Sequence, residues 1–229
     1  MSKRSVMLAL GVFLCGCPGL QRRAETCMDY QGKPYDESEA SRWSALDWAR
    51  MGDFETWDNG NLCAGQAYYR GALVLEPNNN YALVGLGNAY LLEARRVLFK
   101  KTRRDGRPDP DEGSRRAASK LLERATQRAN QVLERDPTYG SALLLLAASY
   151  EAQDKFEQAY QYIDKVERGK VIPEKQISAF YAWKGYLLKQ LGRSEEADAA
   201  LKKAYAIDDD PRRSLYADRL LNPQDYENR

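Results

Sequence analysis

The chain has 229 residues, 43% hydrophobic and 30% charged, enough for one domain with a core of its own. It carries 35 bases, 33 acids and no histidine, so the commonest general base and metal ligand is missing, and the near-neutral balance gives general nucleic-acid binding no electrostatic basis. No glycine-rich phosphate loop, nucleophile elbow or Walker sequence occurs, and the expectation is a non-enzymatic protein with no cofactor and no metal.

Residues 1–16 have the layout of a secretory signal: Lys3 and Arg4, then an apolar run over residues 6–14, then Gly16, Pro18 and Gly19. As a helix the apolar run measures roughly 14 Å, under half of a ~30 Å hydrocarbon core. Leu14-Cys15-Gly16-Cys17 resembles the bacterial lipobox, in which an aliphatic residue and two small ones precede an invariant cysteine. The resemblance implies cleavage before Cys17 and acylation at its sulfur and its new amino group. Several acyl chains hold a protein to a membrane far better than one. An ordinary secretory signal with incidental cysteines is the alternative. Pro18 is not the aspartate that, in enteric bacteria, favours retention in the inner membrane, so an outer-membrane anchor facing the periplasm is expected.

Loss of residues 1–16 removes two bases and no acid, which leaves 33 of each sign in the mature chain. With Cys15 discarded and Cys17 acylated, Cys27 and Cys63 are left. In an oxidising periplasm that pair reads as one disulfide. A redox or metal role is the alternative, and it lacks further ligands nearby. Residues 17–37 read as a lipidated tether.

From residue 38 onward the sequence repeats. YALVGLGNAY (81–90), SALLLLAASY (141–150) and AFYAWKGYLL (179–188) are apolar helical stretches with small residues at spacings that let a neighbouring helix cross closely. A second helical segment follows each. The stops are EPNNN (76–80), DPTYG (136–140), VIPEK (171–175) and DDDPRR (208–213). These residues resemble the tetratricopeptide repeat, a helix–turn–helix unit of 34 residues. The resemblance implies an all-α solenoid of about four units over 38–211, with a capping helix and tail at 212–229. The matching positions are Ala45, Trp48, Gly52, Phe54, Gly65, Tyr69 and Ala72; Leu83, Leu86, Gly87, Tyr90, Ala125, Ala129 and Val132; Leu143, Leu146, Ala147, Tyr150, Phe156, Ala159, Ile163 and Val166; and Tyr181, Gly185, Leu188, Gly192, Ala197, Leu201 and Ala204.

Two insertions depart from the pattern. A short one, ETWDNGNL (55–62), directly precedes Cys63. A long one extends the first helix of the second unit through LLEARRVLFKK and crosses TRRDGRPDPDEG, with Ser114 as the expected N-cap of the returning helix. This insertion carries a basic patch: Arg95, Arg96, Lys100, Lys101, Arg103, Arg104 and Arg107, joined by Arg115 and Arg116. It reads either as a solvated hairpin or as a docking patch for anionic head groups, glycan or an acidic partner. DPDEG (109–113) lacks the ligands of a calcium loop.

In tetratricopeptide proteins ligands meet the inner face of the first helices. Carried onto this chain, that partner-binding groove is Tyr81, Val84, Asn88, Leu91, Leu144, Glu151, Tyr186 and Lys189, which suits a helix or extended segment of a protein partner. Several of these residues serve equally well as cover for a neighbouring repeat. The lipobox together with the repeats resembles pilotin-type and gliding-motility lipoproteins. That implies an assembly scaffold for an envelope machine such as a type IV pilus, secretin or motility complex. The alternatives are an accessory lipoprotein of a solute transport system, or a part in outer-membrane protein or cell-wall assembly.

Overall fold

The structure is a computed structural model in which the described residues are Cys27, 42–100, 109–172 and 176–207. Among them the regular elements are all helical: α1 (Ala45–Asp53), a π-helical turn (Phe54–Asp58), α2 (Leu62–Leu75), α3 (Asn80–Leu98), α4 (Glu112–Leu133), α5 (Gly140–Glu151), α6 (Phe156–Arg168), α7 (Ile177–Gln190) and α8 (Ser194–Ile207). The order is four helix–turn–helix pairs, the second with both helices lengthened by its insertion to 19 and 22 residues. The predicted signal at 1–16, Cys17 and the predicted cap at 212–229 lie outside the described residues.

Helix starts follow from local chemistry. Ser44 accepts the Asp47 N–H while the Asp47 carboxylate accepts the Ser44 N–H, so each satisfies a donor that the first turn leaves unpaired. Asn61, Asn79 and Asp111 cap α2, α3 and α4 in the same way, each side-chain oxygen accepting an N–H three residues on. The expected cap Ser114 is therefore corrected. Asp111 holds that place, and Ser114 supplies the N–H it accepts, at 2.8 Å. An aspartate suits the site better because its charge also meets the positive end of the helix.

The described residues divide into two compact units, one reaching to Gln153 and the other starting at Asp154. In the first, each helix from α1 to α4 packs on the next, and α3 also touches α1 and α5, the first helices of the pairs on either side. Glycines make those crossings possible. A Cβ on Gly52 or Gly85 would stand 2.7 or 2.3 Å from the Tyr69 ring, so this fully buried ring lies between α1 and α3 only because both helices present glycine to it. The short insertion forms most of the π-helical turn, which seats Thr56 over Gly65. Phe54 is a second correction: it is 46% exposed, because at helical spacing it falls on the side of α1 opposite the buried stripe that Ala45, Trp48, Ala49 and Gly52 define. In the second unit α6 and α8 pack on α7, around Ile163, Phe180, Leu187, Leu188 and Leu201. Gly185 admits Leu201 there, and Gly192 at φ +73° makes the turn into α8.

Candidate interaction surface and its N-terminal clasp

The predicted groove residues separate by depth. On α3, Val84 and Leu91 are buried, and on α5 Leu144 is 6% exposed, so these three are interior packing in the structure. The reason lies in the helices themselves. α5 is apolar almost all round, and Ala142 through Ala147 is one unbroken buried run. Tyr81 is 43% exposed, and Asn88 is half-buried. Glu151 accepts a hydrogen bond from Arg95 at 3.2 Å. Two residues expected in different sites, groove and basic patch, thus form one ion pair linking α3 to α5. Tyr186 and Lys189 are half-buried on α7 in the other unit.

The basic patch is correspondingly smaller among the described residues. Arg95 is engaged with Glu151, and Arg96 donates to the Gly60 carbonyl at 2.7 Å. Arg115 donates to the Pro110 carbonyl, and Arg116 pairs with Glu112. Lys100 is exposed beside Phe99, which is exposed as well. Lys101, Arg103, Arg104 and Arg107 lie outside the described residues.

Three clusters escape a reading of apolar periodicity. At the end of α1, Asp53 accepts from Tyr69 at 2.5 Å and from Tyr81. Burial pushes the Asp53 carboxyl above its ordinary value, against the lowering effect of both phenols. The same burial, reinforced by the carboxylate, pushes both phenols up. In the second unit, Glu167 on α6 accepts from Lys184 at 2.5 Å and from Tyr181 at 2.9 Å, both on α7. Lys203 on α8 donates to the Tyr181 hydroxyl at 2.7 Å. Burial raises the Glu167 carboxyl, but these bonds and the two lysine charges outweigh it, so its net shift is downward.

The third cluster surrounds the N-terminal cysteine. Cys27 and Cys63 form a disulfide with Cα atoms 4.9 Å apart. The Cys27 N–H donates to Glu93 Oε1 at 2.7 Å, and Gln66 Nε2 donates to Glu93 Oε2 at the same distance. A signal for Glu93 was present in the sequence: it is an acid seven residues after Leu86, on the stripe that otherwise reads Leu83, Leu86 and Tyr90. Among the described residues no cluster of histidine, cysteine, aspartate or glutamate has metal-site geometry, and no helix is long and apolar enough to cross a membrane.

Comparison with known proteins bears on the fold. Residues 178–211 match the tetratricopeptide repeat family model, which takes in most of α7 and all of α8. No curated protein sequence matches the chain. Among solved structures, TTC0263, a thermophilic TPR protein in Thermus thermophilus, is similar over 79% of this chain and 83% of its own, at 19% identity and a TM-score of 0.58. The MamA protein aligns over 80% of this chain and 95% of its own at 17% identity, with a TM-score of 0.33 that is too low to carry an argument. The architecture is therefore all-α and of the tetratricopeptide type, with the family's sequence pattern matched in its last helix pair.

Proposed function

We propose that this chain is a non-catalytic adaptor that binds a protein partner on the open part of its first helices. A lipid on Cys17 would anchor it to the periplasmic face of a bacterial outer membrane, where it would serve an envelope machine such as a pilus, secretin or motility complex. The observation that carries the adaptor reading is the tetratricopeptide-type fold shared with TTC0263 over most of both chains. The lipobox Leu14-Cys15-Gly16-Cys17 supports the anchor. With Val84, Leu91 and Leu144 packed inside, the binding role rests on Tyr81 and Asn88 in the first unit and, separately, on Tyr186 and Lys189 in the second.

The test is photocrosslinking in the native membrane, with a photoreactive residue at Asn88 in one strain and at Tyr186 in another. The adaptor reading expects an envelope protein captured at one or other of these positions, each read for its own unit, and absent with the probe at exposed Lys120 on α4. Capture of a transporter subunit would move the assignment to a solute transport system. No product from either position would refute the groove. The anchor is tested separately, by palmitate labelling of wild-type and Cys17→Ala protein. Equal labelling of the two would refute it.

A further inference from the structure

Helix α3 contributes no cysteine, yet it grips the chain on both sides of the disulfide. Glu93 holds the backbone N–H of Cys27 at 2.7 Å. One turn on, Arg96 holds the carbonyl of Gly60 at 2.7 Å, and Gly60 at φ +66° lies three residues before Cys63 in the loop feeding α2. Cys63 and Gln66 are three apart on α2, so one face of that helix offers the thiol and the amide together. Glu93 is 4% exposed and Cys27 5%.

A carboxylate at this depth is tolerated only while its oxygens have donors. Here one oxygen takes the Gln66 amide and the other takes the Cys27 N–H. When Cys27 leaves, one oxygen of a buried charge loses its donor, and that loss penalises the open form. Disulfide and carboxylate are therefore linked: whatever Glu93 contributes to seating Cys27 also raises the local concentration of one thiol at the other.

The geometry points to Glu93 and Arg96 as positioning residues for the Cys27–Cys63 disulfide, with α3 as a template that holds Cys27 against Cys63 for oxidation. The chemistry is thiol–disulfide exchange. Cys27 and Cys63 each give up one hydrogen, their sulfurs join, and a disulfide oxidant such as oxidised glutathione takes the two electrons and two protons and departs as two thiols.

The test equilibrates the full chain in glutathione buffers of graded poise. Isotope-coded alkylation and mass spectrometry then read Cys27 and Cys63 individually. Glu93→Gln keeps an acceptor but removes the charge. It is expected to make reduction easier by on the order of tenfold in the equilibrium constant, as for the loss of a hydrogen bond to a charged group. For this two-electron couple that is about 30 mV. Arg96→Ala is expected to shift the midpoint in the same direction by less. Val132→Ala, which removes fully buried packing on α4, should lower stability while leaving the midpoint in place. If Glu93→Gln and Arg96→Ala leave the midpoint where Val132→Ala leaves it, α3 supports the fold without positioning the cysteines, and the proposal is overturned. Should Glu93→Gln fail to fold, Arg96→Ala decides alone.

Discussion

Tyr69 Oη stands 2.5 Å from Asp53 Oδ1, and with Tyr81 on the other oxygen a single carboxylate ties together α1, α2 and α3. Burial holds the folded Asp53 carboxyl above its ordinary 3.8. The folded state therefore binds this proton more readily than the unfolded state, so the group's contribution improves as pH falls through the raised value and levels off below 3.8. Asp53→Asn keeps the shape and removes the titration. Urea unfolding of both proteins from pH 7 to pH 3.5 should show wild type gaining stability relative to the variant as the medium is acidified. A constant difference across that range would contradict the assignment.

Glu167 titrates with the opposite sign. Its folded carboxyl lies below its ordinary 4.5, so its stabilising contribution is present above 4.5 and disappears as pH falls through the depressed value. Glu167→Gln should cost about 1–2 kcal/mol at pH 7, since it weakens hydrogen bonds from Lys184 and Tyr181 to a charged acceptor. The deficit should shrink in acid. Denaturant titrations at the two extremes measure it.

Gly85→Ala sets helix propensity against packing. Alanine gains about 1 kcal/mol as a helix former, but its Cβ would stand 2.3 Å from the Tyr69 ring, and overpacking of that kind costs about 1–3 kcal/mol. The ring is held by Asp53 and has no room to move, so the packing cost falls at the upper end of that range and a net loss of up to about 2 kcal/mol is expected. Gly113→Ala, exposed in the first turn of α4 with its nearest neighbour at 3.4 Å, should be neutral or stabilising. Thermal melts of the pair compare the two directly.

Reducing the disulfide opens a loop with a sequence separation of 36, for which the chain-entropy model gives a loss of roughly 3 to 4 kcal/mol. Urea midpoints with and without a reductant measure the loss. Cys63→Ser should match the reduced protein, and reductant should then have no further effect.

Helix–turn–helix order was legible because its signals are local. Ala125, Ala129 and Val132, or Ala159, Ile163 and Val166, fall on one buried face at helical spacing, and prolines stand between the pairs. The groove was less legible. Periodicity says that a residue lies on an apolar face but not which neighbour covers it, and so Val84, Leu91 and Leu144 fell on the expected groove while the structure packs them inside. Phe54 was misplaced for a different reason. Two residues after Gly52, it stands about 200° round the helix from that glycine, so it lies off the buried face at ordinary helical spacing, and the π-helical turn begins only at Phe54 itself. The bond between Asp53 and Tyr81 joins residues 28 apart, a relation that no local pattern carries.

The crosslink between Cys27 and Cys63 also decides how mechanical load passes into the molecule. Tension arriving from the N-terminal side crosses from one sulfur to the other and enters directly at the first turn of α2. α1 and the π-helical turn then hang in a closed loop beside the line of force. Their unfolding adds nothing to the length of a stretched chain, and roughly 120 Å of slack is withheld for as long as the bond is intact. Under oxidising conditions the molecule is thus a short, stiff coupling at this end. A reductant converts it into a longer and more compliant one.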